Sequence, residues 1–255
     1  MKQYSDSLDS SNLPSTVKEH INRFEKIRRD FVANVSHELR TPLTVIHGYL
    51  EILCQKSNNE EPIGKFKEIF EQMYAHSVRM EHIINELLLL SRLESEDNPA
   101  HKKEAIHVSE ILEALCEDAK RVSGNRGHVI CLEDDRNLLL SGAEDELRSL
   151  FSNIIINAVK YTPAGGRIAV KWYVDDNEAV FSVTDTGMGI EQKHIPRLTE
   201  RFYRVDKARS RESGGTGLGL AIVKHVLMRH QGEMTIESEP GEGSTFTCRF
   251  PYFSR

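Results

Sequence analysis

Long hydrophobic runs are missing from this 255-residue chain. Its apolar stretches, such as Leu87 to Leu90, fall far short of the roughly 18 to 20 residues that a membrane span needs. The first residues also lack an apolar signal-peptide core, so the segment is not expected to cross a membrane by itself. Cysteine is scarce and scattered: Cys54, Cys116, Cys131 and Cys248 form no C-x-x-C pair and have no closely spaced His partner. That excludes a zinc-finger pattern and fits reduced thiols in a cytoplasmic chain. An excess of positive charge is lacking too. A net charge of -6 argues against direct nucleic-acid binding, which calls for a basic field or stripe. Two phosphate motifs are absent: no G-x-x-x-x-G-K-[ST] string occurs, and Gly214 follows polar SRES where a dinucleotide fingerprint needs a buried strand.

What is present is the balance of a soluble folded protein, 39% hydrophobic and 28% charged, at a length that favours two domains. Apolar residues from Ile21 through Phe31, Val35, Leu39 and Leu43 to Leu53 recur in steps of three or four, which predicts one long helix from about Thr16 to Gln55. Successive steps of four between Ile27 and Leu43 interrupt the coiled-coil rhythm and bracket His37, and Pro42 follows within the same run. The polar stretch from Ser57 to Gly64 reads as a loop, and Phe66, Phe70, Met73, Met80, Ile84 and Leu87 mark a second helix. Ile69, Ile83 and Leu90 widen its stripe beyond what one hairpin can cover, so two hairpins pairing into a four-helix bundle are expected. The expected organisation is a flexible segment over residues 1–15, a dimerising hairpin over 16–96, a linker over 97–105 and a second domain over 106–255. The class is α+β multidomain, a helical-hairpin domain followed by an α/β sandwich. Runs such as HVICL, RIAVKWYV, EAVFSVTD, MTIESE and STFTCRF predict a mixed sheet with helices on one face, the last two joined through Pro240 to Gly243.

Three segments of the second domain carry the chemistry: NIIINAVKY (Asn153 to Tyr161), DTGMGI (Asp185 to Ile190) and GGTGLGLAIVK (Gly214 to Lys224). Any single glycine pair reads as a tight turn. Asn153 and Asn157, however, are four apart and share a helix face. The last glycines run directly into a helical pattern, where backbone N–H groups suit an anion.

In order, these segments resemble the N, G1 and G2 boxes of the histidine-kinase ATP-binding domain, of GHKL (Bergerat) type, with IPRLTERFYRVD (Ile195 to Asp206) as the F box. FVANVSHELRTPLT (Phe31 to Thr44) resembles the H box of the same family. The likeness extends from about residue 25 onward, and its details look most like the phosphate-regulon branch. It implies autophosphorylation of His37 by ATP and transfer of the phosphoryl group to an Asp in the receiver domain of a response regulator. Membrane anchoring would come only through a region outside this chain.

By the resemblance, Glu38 orients His37 and acts as a base, while Glu38 and Thr41 match a Glu-x-x-Thr phosphatase motif. Asp185 receives the adenine amino group, with Gly187 and Gly189 allowing close approach to the base. Asn157 ligates Mg2+, and Lys160, Tyr161 and Arg204 lie near phosphate or ribose. Asn153 and the loop Gly215, Thr216, Gly217, Leu218 and Gly219 complete the ATP site, and the basic cluster from Arg204 to Arg211 falls in the family's mobile lid. ATP-hydrolysing relatives carry a Glu where this chain has Asn153, and an amide cannot take a proton from water near neutral pH. Two other readings are a GHKL-type ATPase clamp and a dimeric scaffold that binds nucleotide without catalysis. Asn153 and the intact H box weigh against the first, and the occupied catalytic positions against the second.

Overall fold

The computed structural model describes residue 35 and residues 38–50, 64–94, 104–205 and 215–252. His37, residues 57–63 of the expected loop and residues 206–214 lie outside that set. The chain divides into two compact units, residues 1–80 and 81–255.

In the first unit residues 38–50 are helical (α1) and continue through Pro42, which is buried. Pro42 has no N–H to offer the carbonyl one turn earlier, so this helix runs without that bond. The second helix, α2, spans Gly64–Glu94 and crosses from the first unit into the second. Within the first unit the hydroxyl of Tyr49 donates to Gln72 Oε1, and Arg79 pairs with Glu38 at 3.4 Å. Leu43, Leu50, Phe70, Tyr74 and Val78 are all exposed. Phe70, Tyr74 and Val78 follow one another at four-residue spacing, a stripe on one side of α2 that a single chain leaves in contact with water.

The second unit is built on a five-stranded sheet of β2 (Val129–Asp134), β4 (Arg167–Asp175), β5 (Glu178–Asp185), β6 (Glu233–Glu239) and β7 (Gly243–Pro251), in spatial order β2-β4-β5-β7-β6. Only β2 and β4 pair in parallel. The β4–β5 hairpin turns on Asp176 and Asn177, both at positive φ as a two-residue turn of the primed type requires. The β6–β7 hairpin closes through residues 240–242 with Glu239 opposite Gly243, matching the turn expected there. A separate two-stranded sheet pairs β1 (Glu104–His107) with β3 (Leu139–Gly142), and β1 starts inside the stretch read as linker.

Helices α3 (Val108–Ser123), α4 (Glu144–Tyr161) and α5 (Gly219–Arg229) share the hydrophobic core with the sheet, joined by Leu90 and Leu93 from the last turns of α2. Along β4 burial alternates, Ile168, Val170 and Trp172 facing the core while Lys171 and Tyr173 face water. This is the one-face-covered pattern of a mixed sheet. Phe151 of α4 sits amid Trp172, Phe181 and Phe250, with ring centroids 6.3, 4.6 and 6.4 Å away. Full burial of such a ring contributes roughly 1.5–3 kcal/mol relative to exposure. Burial also pushes the Cys116 thiol up to about 11 and raises that of Cys248, so both stay protonated. Among the described residues no helix is long and apolar enough to cross a membrane.

Candidate active site

Helix α4 has two working faces. Leu147, Leu150, Phe151, Ile154, Ile155, Ala158 and Val159 are buried and fix the helix on the sheet. Its other side presents Ser149, Ser152, Asn153, Asn157 and Lys160 to a cavity of about 570 Å³, within the size range of small-molecule sites. Glu144, Asp145 and Glu146 fill the first turn, where carboxylates complement the helix dipole. The helix stops at Thr162, the residue before Pro163, where the following ring disfavours helical backbone. The Asn153 amide is turned back on α4: Nδ2 donates to the carbonyl of Ser149 at 2.9 Å. Its Oδ1 lies 2.4 Å from where a Cβ on Gly219 would stand, so the start of α5 approaches α4 only because position 219 has no side chain.

Asp185 ends β5 and is buried at the cavity wall. Its Oδ1 accepts the N–H of Gly187 at 2.7 Å. Burial pushes its carboxyl above the ordinary carboxylate value, opposed by the N–H groups of Gly187 and Ser244. Gly187 itself does not line the cavity. The glycines of this loop serve approaches within the protein. A Cβ on Gly187 would meet the Tyr161 carbonyl oxygen at 2.7 Å, and one on Gly189, where φ is +66°, would meet the Glu239 carbonyl oxygen at 1.9 Å. The N–H of Gly241 donates to the Met188 carbonyl, and the N–H of Ile190 donates to Ser238 Oγ, so the loop is strapped to the β6–β7 turn.

Across the cavity, residues 215–218 lead into α5. Gly215, Thr216, Gly217 and Gly219 line the cavity, whereas Leu218 is fully buried in the core and anchors the loop. Thr216 Oγ1 accepts the N–H of Leu218, and the Gly217 carbonyl accepts the N–H of Phe202, which joins this loop to the segment before it. In that segment Tyr203 meets His194 Nδ1 at 2.6 Å through its hydroxyl and lies under the Arg197 guanidinium, 4.2 Å from the ring centroid. Tyr161, Tyr203 and Arg204 line the same cavity. Burial raises the Tyr161 phenol, and the charge of Arg204 works against that rise.

The cavity thus has a buried carboxylate at one wall, two amides on one helix, and a lysine and an arginine. Such a set suits a purine base, a hydrated cation and a phosphate chain. Among the described residues no group of three or more His, Cys, Asp or Glu could hold a metal ion, so a cation here would depend on ligand oxygens as well as on Asn157. In the first unit Glu38 is half-buried beside Arg79 and Thr41 is exposed.

Residues 27–96 match the His Kinase A (phospho-acceptor) domain, and residues 142–253 match the histidine kinase-, DNA gyrase B- and HSP90-like ATPase domain. The chain therefore joins a histidine-kinase-type phospho-acceptor domain to an ATPase domain of the histidine kinase, DNA gyrase B and HSP90 type. It is 51% identical over 230 residues to the phosphate regulon sensor protein PhoR of Pseudomonas aeruginosa, covering 90% of this chain and 51% of that protein. The chain spans about half the length of the curated relatives it matches. Its fold is that of the Acinetobacter baumannii histidine kinase AdeS, at TM-score 0.66 and 21% identity over 86% of this chain and 98% of that one. It is also that of histidine kinase ThkA, solved in complex with response regulator TrrA, at TM-score 0.68 and 20% identity over 95% and 68% of the two chains.

Eleven of the positions expected at the nucleotide line one cavity: Asn153, Asn157, Lys160, Tyr161, Asp185, Gly189, Arg204, Gly215, Thr216, Gly217 and Gly219. Sequence reading missed Ser149, which the four-residue spacing back from Asn157 through Asn153 could have found, and it missed Ser152. It also missed Tyr203, and it missed His82 and Glu86, which belong to α2 and reach the cavity only through tertiary packing.

Proposed function

We propose that the chain is the catalytic part of an ATP-dependent protein-histidine kinase that autophosphorylates on His37. One observation carries this reading: a cavity with Asp185, Asn157 and a glycine loop opening a helix, in a chain that also holds the phospho-acceptor domain. In this reading Asp185 accepts the adenine amino hydrogen, and Asn157 would help to hold a Mg2+ ion, which would neutralise phosphate charge. Lys160, Arg204 and the first N–H groups of α5 offset phosphate charge. The ring nitrogen of His37 that Glu38 leaves free attacks the γ-phosphorus. The bond to the bridging oxygen breaks and ADP departs.

Phosphoryl transfer to an aspartate of a response regulator follows, and Glu38 with Thr41 supports the reverse task of releasing phosphate from that aspartate. The complex of ThkA with a response regulator supports the partner class. The exposed stripe on α2 supports a homodimer through residues 16–96. Identity to PhoR supports phosphate-regulon signalling from the cytoplasmic side of the inner membrane, with the anchor in a region outside this chain.

Incubation with Mg2+ and γ-labelled ATP tests the reading. Acid-labile, alkali-stable label that disappears in His37→Ala is expected. Steady phosphate release without protein labelling would favour an ATPase clamp, and nucleotide binding alone would favour a scaffold. Label persisting in His37→Ala would overturn the site assignment.

A further inference from the structure

Among the described residues three acidic side chains line the cavity, and their oxygens differ in what they already hold. Asp185 accepts N–H groups from Gly187 and Ser244. Glu191 is exposed and pairs with Lys193 at 2.7 Å. Glu86, on the last turns of α2, is only 7% exposed. Its Oε1 stands 3.6 Å from His82 Nε2, and its Oε2 is shielded from solvent with no hydrogen-bond partner.

A carboxylate oxygen in that condition costs free energy unless a cation or a donor meets it. Magnesium bound with a nucleotide is ordinarily held by one or two carboxylates together with phosphate oxygens and retained waters. Asn157 supplies an amide oxygen but no charge. The cavity carboxylate with an oxygen to spare is Glu86.

We propose that Glu86 is a carboxylate of the coordination sphere of the nucleotide-borne divalent cation, and that it makes triphosphate binding metal-dependent. The inference rests on reading the cavity as a Mg2+–ATP site. With the cation present, Glu86 attracts the complex. Without it, the same charge repels the phosphates, and Lys160 and Arg204 have that repulsion to offset as well. Because Glu86 belongs to α2, the cation also ties the nucleotide to the turns that bring Leu90 and Leu93 into the core of the second unit. By linkage, whatever shifts those turns shifts nucleotide affinity by the same factor.

The test is calorimetric titration of the whole chain, wild type and Glu86→Gln, with a non-hydrolysable ATP analogue in Mg2+ and in EDTA. In Glu86→Gln the metal-free analogue is expected to bind more tightly and the Mg2+ complex more weakly. The ratio of the two affinities should fall by about tenfold or more, the scale on which groups around a metal act. Tighter metal-free binding cannot arise from misfolding. An unchanged ratio would overturn the proposal, as would equal tightening in both conditions, which would mean plain repulsion without a cation contact. Wild type that binds no analogue in Mg2+ would instead overturn the nucleotide-site reading, and Glu86 with it.

Discussion

The Oδ1 of Asp185 accepts the backbone N–H of Gly187 at 2.7 Å, from a position at the end of β5 that is almost closed to solvent. One oxygen thus shapes the loop, while the carboxyl group stands at the cavity wall. Asn keeps an acceptor for Gly187 and removes the charge that burial disfavours. Asp185→Asn is therefore expected to melt no lower than wild type. Its second terminal atom would present a donor to the adenine amino group, losing a charge-assisted hydrogen bond, so nucleotide should bind about 10- to 100-fold more weakly. Thermal melting and titration with nucleotide measure both halves. A large drop in melting temperature would show that the charge itself supports the fold.

Gly189 and Glu239 constrain each other differently. A Cβ at 189 would lie 1.9 Å from the Glu239 carbonyl oxygen, and the residue has φ +66°. Gly189→Ala must displace the β6–β7 turn or the loop, and it is expected to cost about 3 kcal/mol or more. Urea unfolding of the variant measures this. Gly165→Ala serves as the comparison, because its φ is also positive but its Cβ would meet nothing within 4 Å. A smaller loss there would separate backbone strain from collision.

These two positions show what a motif does and does not reveal. The glycines were legible as a pattern, and the pattern predicted close approach to a ligand. The approaches present are to Tyr161 and Glu239, partners that only the tertiary structure brings near. The five strands of the main sheet were legible because each is at least six residues long and carries an apolar run or a stretch of alternation. Strands β1 and β3 were not: each has four residues and pairs only with the other. Glu86 was illegible for a different reason. Helical spacing placed it on a hairpin helix, and no local pattern says that those turns line a cavity formed by residues many positions later.

His225 Nε2 stands 3.2 Å from Glu94 Oε1, and Arg201 reaches the same oxygen. Burial holds the His225 imidazole below its ordinary value of 6.5, with Arg201 and Lys224 acting in the same sense and Glu94 against it. The unfolded chain therefore binds the proton more readily than the folded one. The stability contributed at this site is full above pH 6.5 and is lost as pH falls through the lower folded value. Wild type should lose more unfolding free energy than His225→Gln when pH is lowered from 7 toward 5. Denaturant midpoints across that range test it, and parallel curves would mean that Glu94 cancels the effect of burial.

On the proposed kinase reading, Asn153 is the position that separates holding ATP from hydrolysing it. Its Nδ2 is committed to the Ser149 carbonyl, and its Oδ1 is pressed against Gly219. Glu at this position has no donor for that carbonyl and is one methylene longer. It would turn away from its own helix into the cavity that Ser149, Ser152 and Asn157 line. There a carboxylate can accept a proton from water, a role worth roughly 10²- to 10⁴-fold in rate when well placed. Asn153→Glu is expected to release phosphate from Mg2+–ATP at least about tenfold faster than wild type, while acid-labile labelling of the protein declines. A coupled phosphate-release assay beside the labelling assay reads both. Unchanged release with nucleotide binding intact would mean that more than this amide keeps water from the γ-phosphate.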